Sequence, residues 1–522
     1  MKDMATKLEI ELDDGERRVM KLIKQAHQEK STIACVRIEY WGEEGGIIMS
    51  HEQFQDIFTC LGSFPNLQDA ILHFTHDAPP LPVQALQQLI FCHVAQGGDD
   101  DDEEAYDEYD NGMATATRRL EYLSLHRVKL QGTLSEFAAL GDCLKRNESL
   151  NKIHLSGCSS IVVTAEEDES SSTTTMDGQG MDWILEALGN MALLETVHLD
   201  AIDHLSASAF TAICQSQSIH KMELWNMADD LNRHGPAIAK ALSTRQSQNH
   251  NTGGGLHELE ISSNLQRPAG NAMIEMLHCN TTLDSIGLDL EYAEYGEPLS
   301  QVLLQQPACD NNNNNDPNNN NSNASLKTLH LRLVADEEEE SAIEDPPQDH
   351  DDATNDGTEP DAEGVNDSDS DNETTTTSVE TATLANAKML LTALESNDTL
   401  EHLHMNFYHI SPDDVQSTLI PCVEQLLQIN FVLKDLTLRG RHDFTHLSDK
   451  ARFGLRLNRA GRYELLLGGN NNNDGGLAPR TKWIDTIAAH QQEVDIVFYL
   501  LSTNPSLCCT AATTTTTATK AE

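Results

Sequence analysis

Residues 147–158 read NESLNKIHLSGC, and this stretch decides the fold. From Leu150 it follows the phrase L-x-x-L-x-L, whose alternation of apolar and polar residues is typical of a half-buried β-strand. With aliphatic substitutions allowed, chance alone would produce roughly eight matches in a chain of this length, so the phrase needs independent support. The eleven instances begin at Ile33, Leu67, Leu120, Leu150, Leu194, Ile219, Leu256, Leu283, Leu326, Leu400 and Leu433.

Two features around the phrase supply that support. The segments before it carry apolar residues at helical spacing, as in LSEFAALGDCLKRN (134–147) and MDWILEALGNM (181–191). An asparagine also stands three residues before the first leucine of five phrases, and asparagine tolerates the left-handed backbone that follows a helix end. We therefore predict a repeating order of helix, asparagine stop and strand. The five asparagines are Asn147, Asn280, Asn323, Asn397 and Asn430.

This order resembles the leucine-rich-repeat family, especially its long-helix subclass, which includes ribonuclease inhibitor. The residues LNKIHLSGC (150–158) and LHELEISSN (256–264) match the fuller phrase L-x-x-L-x-L-x-x-[NC]. The resemblance covers about residues 33–445. It implies an α/β fold, a curved solenoid with parallel strands on the concave face and helices on the convex face. It also implies that Cys158 and Asn264 cap the turns after their strands inside the solenoid.

The same reasoning predicts the domain organisation. Residues 1–32 form an N-terminal segment or cap, 33–445 the solenoid, 446–509 a helical C-terminal cap, and 510–522 a disordered Thr-rich tail. The element LNRAGR (457–462) and the helix after it resemble the endings of expanded leucine-rich-repeat families in unicellular algae. The apolar residues expected to cover the last core layer are Trp483, Ile484, Ile487, Val494, Val497, Phe498 and Leu501.

Long insertions interrupt the repeats. Residues 310–323 are nearly all asparagine, and about 335–383, which is acidic and then Thr-rich, is predicted to be a disordered insertion. The stretch 336–373 contains no Lys or Arg, so it repels itself and is predicted to be disordered. Such an acidic loop suits a basic protein partner.

Charge and cysteine usage restrict the class of protein. The formal net charge is −50, and phosphate binding needs a basic surface, so we expect neither nucleic acid nor membrane as a partner. The 11 cysteines are scattered without CxxC pairs, and the charged N-terminus has no apolar signal region. These features are typical of an intracellular protein, cytoplasmic or nuclear.

Histidine is concentrated at the positions between the leucines. The side chains at these intervening positions should point to the concave face, because the leucines point into the core. It fills seven of the 33 such positions, whereas a frequency of 22 in 522 predicts between one and two. Parallel strands lie about 4.8 Å apart, so equivalent histidines on consecutive strands should be neighbours. The candidate partner-binding residues, expected neighbours first, are His154 and His198, His220 and His257, His330 and His404, then His402, Glu223, Glu260 and Lys221.

Three interpretations of these histidines are open from the sequence. They are an ordinary polar binding surface, a surface whose charge changes with pH, and a metal site. The metal interpretation is the weakest of the three because nothing beyond pairing fixes a ligand geometry. We therefore assign no metal, cofactor or catalytic residue from the sequence.

The expected function is a non-catalytic scaffold that binds a protein partner on the concave face. The chain lacks G-x-x-x-x-G-K-[ST], H-E-x-x-H and G-x-S-x-G, so we predict that it is not an enzyme. The alternatives are a regulator such as a GTPase activator, a ubiquitin-ligase substrate adaptor, and a histone-chaperone-like acidic binder of basic proteins.

Overall fold

The computed structural model divides the chain into two compact units. Unit 1 comprises Met1–Glu291 and Pro307–Leu326, and unit 2 comprises Tyr292–Gln306 and Lys327–Glu522. The division falls inside the range 33–445 that the sequence predicts as one solenoid. The structure describes residues 6–12, 16–28, 33–40, 49–64, 66–91, 120–163, 178–202, 204–248, 255–278, 282–290, 295–304, 326–333, 373–407, 410–440, 444–466, 478 and 480–508.

Unit 1 is an α/β unit built on a sheet of nine parallel strands, which are hydrogen-bonded neighbours in chain order. Its strands are β1 (Thr6–Glu11), β2 (Ile33–Tyr40), β3 (Asp69–Phe74), β5 (Tyr122–His126), β7 (Lys152–Ser156), β9 (Thr196–Asp200), β10 (Lys221–Trp225), β11 (Glu258–Leu265) and β12 (Ser285–Leu290). A second parallel sheet consists of β4 (Leu81–Pro82), β6 (Lys129–Gly132) and β8 (Ser159–Val162).

Helices separate these strands. They are α1 (Glu16–Gln28), α2 (His51–Gly62), α3 (Val83–Phe91), α4 (Leu134–Arg146), α5 (Gln179–Gly189), α6 (Ala207–Gln215), α7 (Ala228–Gln248) and α8 (Arg267–His278). Each of α1 to α7 packs against the next helix along the chain. The phrase leucines and the inward helix residues are almost fully buried, as Leu155 and Leu188 show at 1% and 0% exposure. Burial of this apolar surface is the main stabilising contribution.

Unit 2 repeats the pattern with three parallel strands, β13 (Thr328–Leu333), β14 (His402–Phe407) and β15 (Asp435–Arg439). Its helices are α9 (Gly296–Leu304), α10 (Glu373–Ala393), α11 (Pro412–Ile429), α12 (Asp449–Arg459), α13 (Arg462–Leu466), α14 (Arg480–Ala489) and α15 (Val494–Thr503).

All eleven phrases therefore form strands, and the quoted helical segments form helices, as predicted. No described helix is long and apolar enough to cross a membrane, and the described cysteines are free thiols.

The N-terminal residues and the acidic insertion differ from their predicted boundaries. Residues 1–32 contribute β1, which pairs with β2, so the sheet begins at Thr6 rather than at Ile33. Helix α10 begins at Glu373, inside the range 335–383 predicted to be disordered. Ala387 and Leu390 anchor this helix in the core, and it extends N-terminally through the Thr run. The Asn-rich insertion (310–323), residues 334–372 and the tail 510–522 lie outside the described residues.

The asparagine stops end their helices by a different mechanism from the predicted one. Asn147 has φ −73° and ψ 120°, and Asn430 has φ −82° and ψ 120°, which is extended rather than left-handed backbone. The side chain of Asn430 instead accepts hydrogen bonds at Oδ1 from the amides of Val432 and Leu433. Asparagine is required because its short amide satisfies backbone groups after the helix. Asn280 and Asn323 lie outside the described residues.

The predicted cap at Asn264 is wrong. Asn264 is exposed within β11, and the buried neighbour Ser263 faces inward, where its Oγ accepts a hydrogen bond from the amide of Met227 at 2.8 Å. A one-residue shift reverses the side of a strand on which a residue lies. Cys158 is buried, and its Sγ donates to the carbonyl of Leu125 at 3.3 Å.

The C-terminal helices α12 to α15 are helical as predicted, but the residues that cover the core differ. Trp483 is fully buried, whereas Ile484, Val494 and Phe498 are 50%, 75% and 74% exposed. The buried residues of α15 are Ile496 and Leu500, so a different face of this helix packs against the core from the one predicted. Its C-cap is Asn504, which is buried.

Candidate functional site

The candidate site is the polar face of the sheet in unit 1. In β7 the residues Ile153 and Leu155 are buried, whereas His154 and Ser156, on the opposite side of the strand, are partly exposed. Neighbouring strands are in register, so His154 pairs with His198, and Ser156 pairs with Asp200. Rows of side chains consequently run across the strands at right angles to them.

A line of aromatic rings crosses this face. The ring centroids lie 5.6 Å apart for His73 and His126, 4.5 Å for His126 and His154, and 4.0 Å for His154 and His198. The indole of Trp225 ends the line, 4.6 Å from the ring of His198. We call the four histidines the imidazole row. It confirms the predicted neighbours His154 and His198 and extends the pair beyond His154 to His126 and His73.

Sequence reasoning missed His73, His126 and Trp225. Each follows the last leucine of its phrase, one position beyond the residues that were counted. Because strand alternation continues past that leucine, a search of the form L-x-x-L-x-L-x would have included all three. The same position holds Ser156 in β7 and Asp200 in β9.

Burial disfavours the charged forms of His154 and His126. It lowers the pKa of His154 to about 4, and nearby His198 and His126 add to that effect. Burial likewise lowers the pKa of His126, together with the neighbouring charge of His73. The Nε2 atom of His154 is buried and has no hydrogen-bond partner among the described residues. An unsatisfied buried polar atom costs about 1–3 kcal/mol.

Carboxylates hold the end of the row near Trp225. His198, itself 8% exposed, is hydrogen-bonded through Nδ1 to Glu223 Oε2 at 2.6 Å. Burial raises the pKa of Glu223, but hydrogen bonds from His198 and Lys221 outweigh it, so the pKa is lowered overall. The side-chain nitrogen of Lys221 lies 3.0 Å from Glu223 and 3.0 Å from Glu258. Burial and the charge of Glu223 raise the pKa of Glu260, the residue beside Glu223 in the register.

Asp200 is oriented from both sides. Its Oδ2 accepts a hydrogen bond from Ser156 Oγ, and its Oδ1 accepts one from Asn226 Nδ2, each at 2.7 Å. Asn226 is the first residue of the turn that follows β10. Similar turns follow β5, β7 and β9, and the first residue of each of the four turns has a φ between 48° and 58°. These residues are Arg127, Gly157, Ala201 and Asn226, and the non-glycine members each cost roughly 1–2 kcal/mol of backbone strain.

The second predicted pair lies at the start of its strands. His220 and His257 immediately precede β10 and β11, and their rings are stacked with centroids 5.7 Å apart. Nδ1 of His257 lies 2.9 Å from Asp284 Oδ2. This pair is therefore adjacent as predicted, but it stands at the N-terminal edge of the sheet rather than in the imidazole row.

Unit 2 carries the third predicted pair. His330 and His404 are register partners with ring centroids 4.4 Å apart. Burial lowers the pKa of both rings, and the charge of His402 adds to it. Nδ1 of His402 lies 3.0 Å from Asp435 Oδ2. Asp435 also binds Arg459 through a charged hydrogen bond.

One group of side chains in the described part of the chain could hold a metal ion. His154, His198 and Asp200 each offer a ligand atom, and these atoms all lie within 4.8 Å of one another. Within the described residues, no group of three such ligands includes the candidates His220, His257, His330, His402 and His404.

Comparison with known proteins does not assign a family. No family model matches the chain, and no curated protein matches it significantly.

Proposed function

We propose that the chain is a leucine-rich-repeat solenoid that acts as a non-catalytic scaffold and binds a protein partner on the polar face of its sheet. The observation that carries the proposal is the continuous polar face of unit 1, where the imidazole row ends at an exposed tryptophan. Trp225 is 36% exposed although it is large and apolar, and exposed Trp is enriched among the residues that dominate binding energy. The repeated order of helices and in-register strands supports the solenoid.

The charges on the face that carries Trp225 indicate the chemistry of the partner. Glu258 has a 52% exposed side chain, and Glu260 lies next to Glu223 on the same face. Glu260 is level with Glu223 and Glu258 with Lys221, two and four residues before Trp225, so one basic side chain of the partner could stack on the indole while others pair with these carboxylates. We therefore infer a partner with a basic contact surface, and its binding should weaken as salt is raised.

The test compares two matched double variants in quantitative co-purification of partners with the full chain. Trp225→Ala with Glu258→Gln alters the polar face. The control, Trp183→Ala with Asp142→Asn, removes a tryptophan with 39% exposure on α5 and an acid on α4. The match is close because each acid is ion-paired to a lysine, Glu258 to Lys221 and Asp142 to Lys145.

We expect the face variant to lose at least ten-fold in recovery of specific partners, and the control variant to retain them. Equal recovery by the two variants, with both folded by circular dichroism, would contradict binding on this face. Loss in the control alone would place binding on the helices.

The alternatives named from the sequence stay predictions with separate assays. A GTPase activator should accelerate GTP hydrolysis, and a ubiquitin-ligase adaptor should co-purify with a ligase core. A histone-chaperone-like binder should lose its basic partners when residues 336–373 are deleted, while the Trp225 variant keeps them.

A further inference from the structure

We propose that His154, His198 and Asp200 form a binding site for a divalent transition-metal ion, with Zn²⁺ as the expected ion. The inference is independent of the proposed scaffold function. The three residues lie on two adjacent strands: His154 and His198 are register partners in β7 and β9, and Asp200 follows His198 by two residues on the same face. Their ligand atoms are within 4.8 Å of one another.

The first argument is that His154 is available as a ligand. A metal binds the neutral imidazole through a ring nitrogen that carries no proton. Nε2 of His154 is buried and has no hydrogen-bond partner among the described residues, so the lone pair is unused. A metal ion would satisfy this atom and remove the cost of leaving it unpaired.

The second argument is that outer groups already orient the other two ligands. Metal-binding histidines almost always donate their second ring N–H to a carboxylate or a carbonyl. His198 does so through Nδ1 to Glu223 at 2.6 Å, which leaves its Nε2 with the free lone pair. Asp200 is held by Ser156 and by Asn226, and Asn226 occupies a left-handed backbone conformation with φ 52°.

The ligand types select the ion. Two imidazoles and one carboxylate suit Zn²⁺, whereas Mg²⁺ and Ca²⁺ prefer oxygen ligands alone. Tetrahedral zinc requires ligand atoms roughly 3.3 Å apart. Because the three ligand atoms lie within 4.8 Å of one another, side-chain rotations that bring them closer by up to about 1.5 Å would close the site. Three protein ligands leave the fourth position for water or for a side chain of a partner protein.

The experiment measures zinc binding to the full chain by isothermal titration and by dialysis with metal analysis, in a reducing buffer. Because the chain has 11 cysteines and 22 histidines, the comparison with variants decides the result rather than total zinc. The wild type should bind one equivalent more than Asp200→Asn, a nearly isosteric change. His154→Ala and His198→Ala should lose the same equivalent, with affinity lowered about 100-fold or more.

Two further variants test the outer groups and the specificity. Glu223→Gln should keep the stoichiometry and weaken the affinity roughly 10- to 100-fold, because it orients a ligand without touching the metal. His330→Ala with His404→Ala, at the corresponding pair of unit 2, should leave binding unchanged.

Spectroscopy of the Co²⁺-substituted protein identifies the ligands. We expect d–d absorption typical of tetrahedral nitrogen and oxygen ligation that disappears in Asp200→Asn. Equal zinc stoichiometry in the wild type and in Asp200→Asn would overturn the proposal. So would thiolate charge-transfer absorption from the one Co²⁺ equivalent that Asp200→Asn loses. A loss of binding in the unit 2 variant as large as the loss in the unit 1 variants would also overturn it. Circular dichroism of each variant ensures that lost binding does not reflect unfolding.

Discussion

Two pairs of histidines occupy equivalent places in the two units but have different surroundings. His154 and His198 in unit 1 correspond to His330 and His404 in unit 2: both are register partners with rings about 4 Å apart, at 4.0 and 4.4 Å. Two residues after His198 stands Asp200, whereas two residues after His404 stands Asn406. The strand pattern alone thus produces the pair, and one side chain determines whether it can bind a cation.

The neighbours of that third residue also differ. Asp200 lies in register between Ser156 and Trp225, which are uncharged. Asn406 lies in register between Arg332 and Arg439. Asp435, which is the carboxylate close to the unit 2 pair, is already bound to His402 and to Arg459. Unit 1 is therefore arranged to accept a cation on its polar face, and unit 2 supplies its own cations.

The largest expected effect comes from exchanging these two residues. Asp200→Asn should lower zinc affinity about 100-fold or more, and Asn406→Asp should create measurable binding in unit 2. The new site should be weaker than the original because Arg332 and Arg439 would compete for the new carboxylate. Zinc titration of the two single variants and of the double variant measures both changes.

The double variant gives the sharper control. If the carboxylate is the deciding group, the double variant should bind one equivalent of zinc. Replacing His404 should remove this equivalent, whereas replacing His154 should leave it bound. Binding that stays sensitive to His154 in the double variant would show that the difference between the pairs lies elsewhere.

The helix stops provide a second comparison of the units. Asn430 is 3% exposed, accepts two backbone hydrogen bonds and donates from Nδ2 to the carbonyls of Leu394 and Asn397 at 2.7 and 2.8 Å. Asn147 in unit 1 accepts from Ser149 and Leu150. Asn430→Ala should therefore lower the free energy of unfolding by roughly 3 kcal/mol, and Asn147→Ala by roughly 2 kcal/mol.

Urea denaturation of each alanine variant measures this difference. Serine at the same positions is the matched control, since a hydroxyl can replace part of the accepted hydrogen bonds but neither donated one. A larger loss at Asn147 than at Asn430 would show that the donated hydrogen bonds are not the source of the stability.

The smallest expected effect is a dependence of stability on pH. The pKa of His154 is about 4 in the folded protein against an ordinary value of 6.5, so between these pH values the unfolded chain binds more protons. The stability contributed by the neutral ring is complete above about pH 6.5 and is lost as pH falls towards 4. After allowance for partial exposure of the ring, the loss should be about 1 kcal/mol.

His154→Gln removes this titration. Between pH 7 and pH 4.5, the free energy of unfolding of the variant should fall by about 1 kcal/mol less than that of the wild type, as measured by denaturation in metal-free buffer. His330→Gln should change the dependence in the same direction but less, because burial lowers the pKa of His330 by a smaller amount. Identical pH profiles for the wild type and His154→Gln would show that this ring does not titrate as described.

Much of the local fold could be predicted because it depends on short-range patterns. The eleven strands follow from alternating aliphatic residues, and the helices from apolar residues three and four positions apart. The neighbouring histidines followed once parallel strands were assumed, since equivalent positions then lie side by side. The exposed face of α15 was not predictable in this way, because Val494 and Phe498 satisfy the same helical spacing as the buried Ile496 and Leu500.

The sequence by itself determined the repeating strands, the helices between them and the histidine pairs, because each depends on residues close together in the chain. Only the tertiary structure decided which polar groups surround the pair in unit 1. Ser156 and Asp200 end the strands β7 and β9, Asn226 follows β10, and hydrogen bonds join the three only after the strands align. The lowered pKa of His154 has the same origin, because burial and neighbouring charges arise from packing and not from residue type.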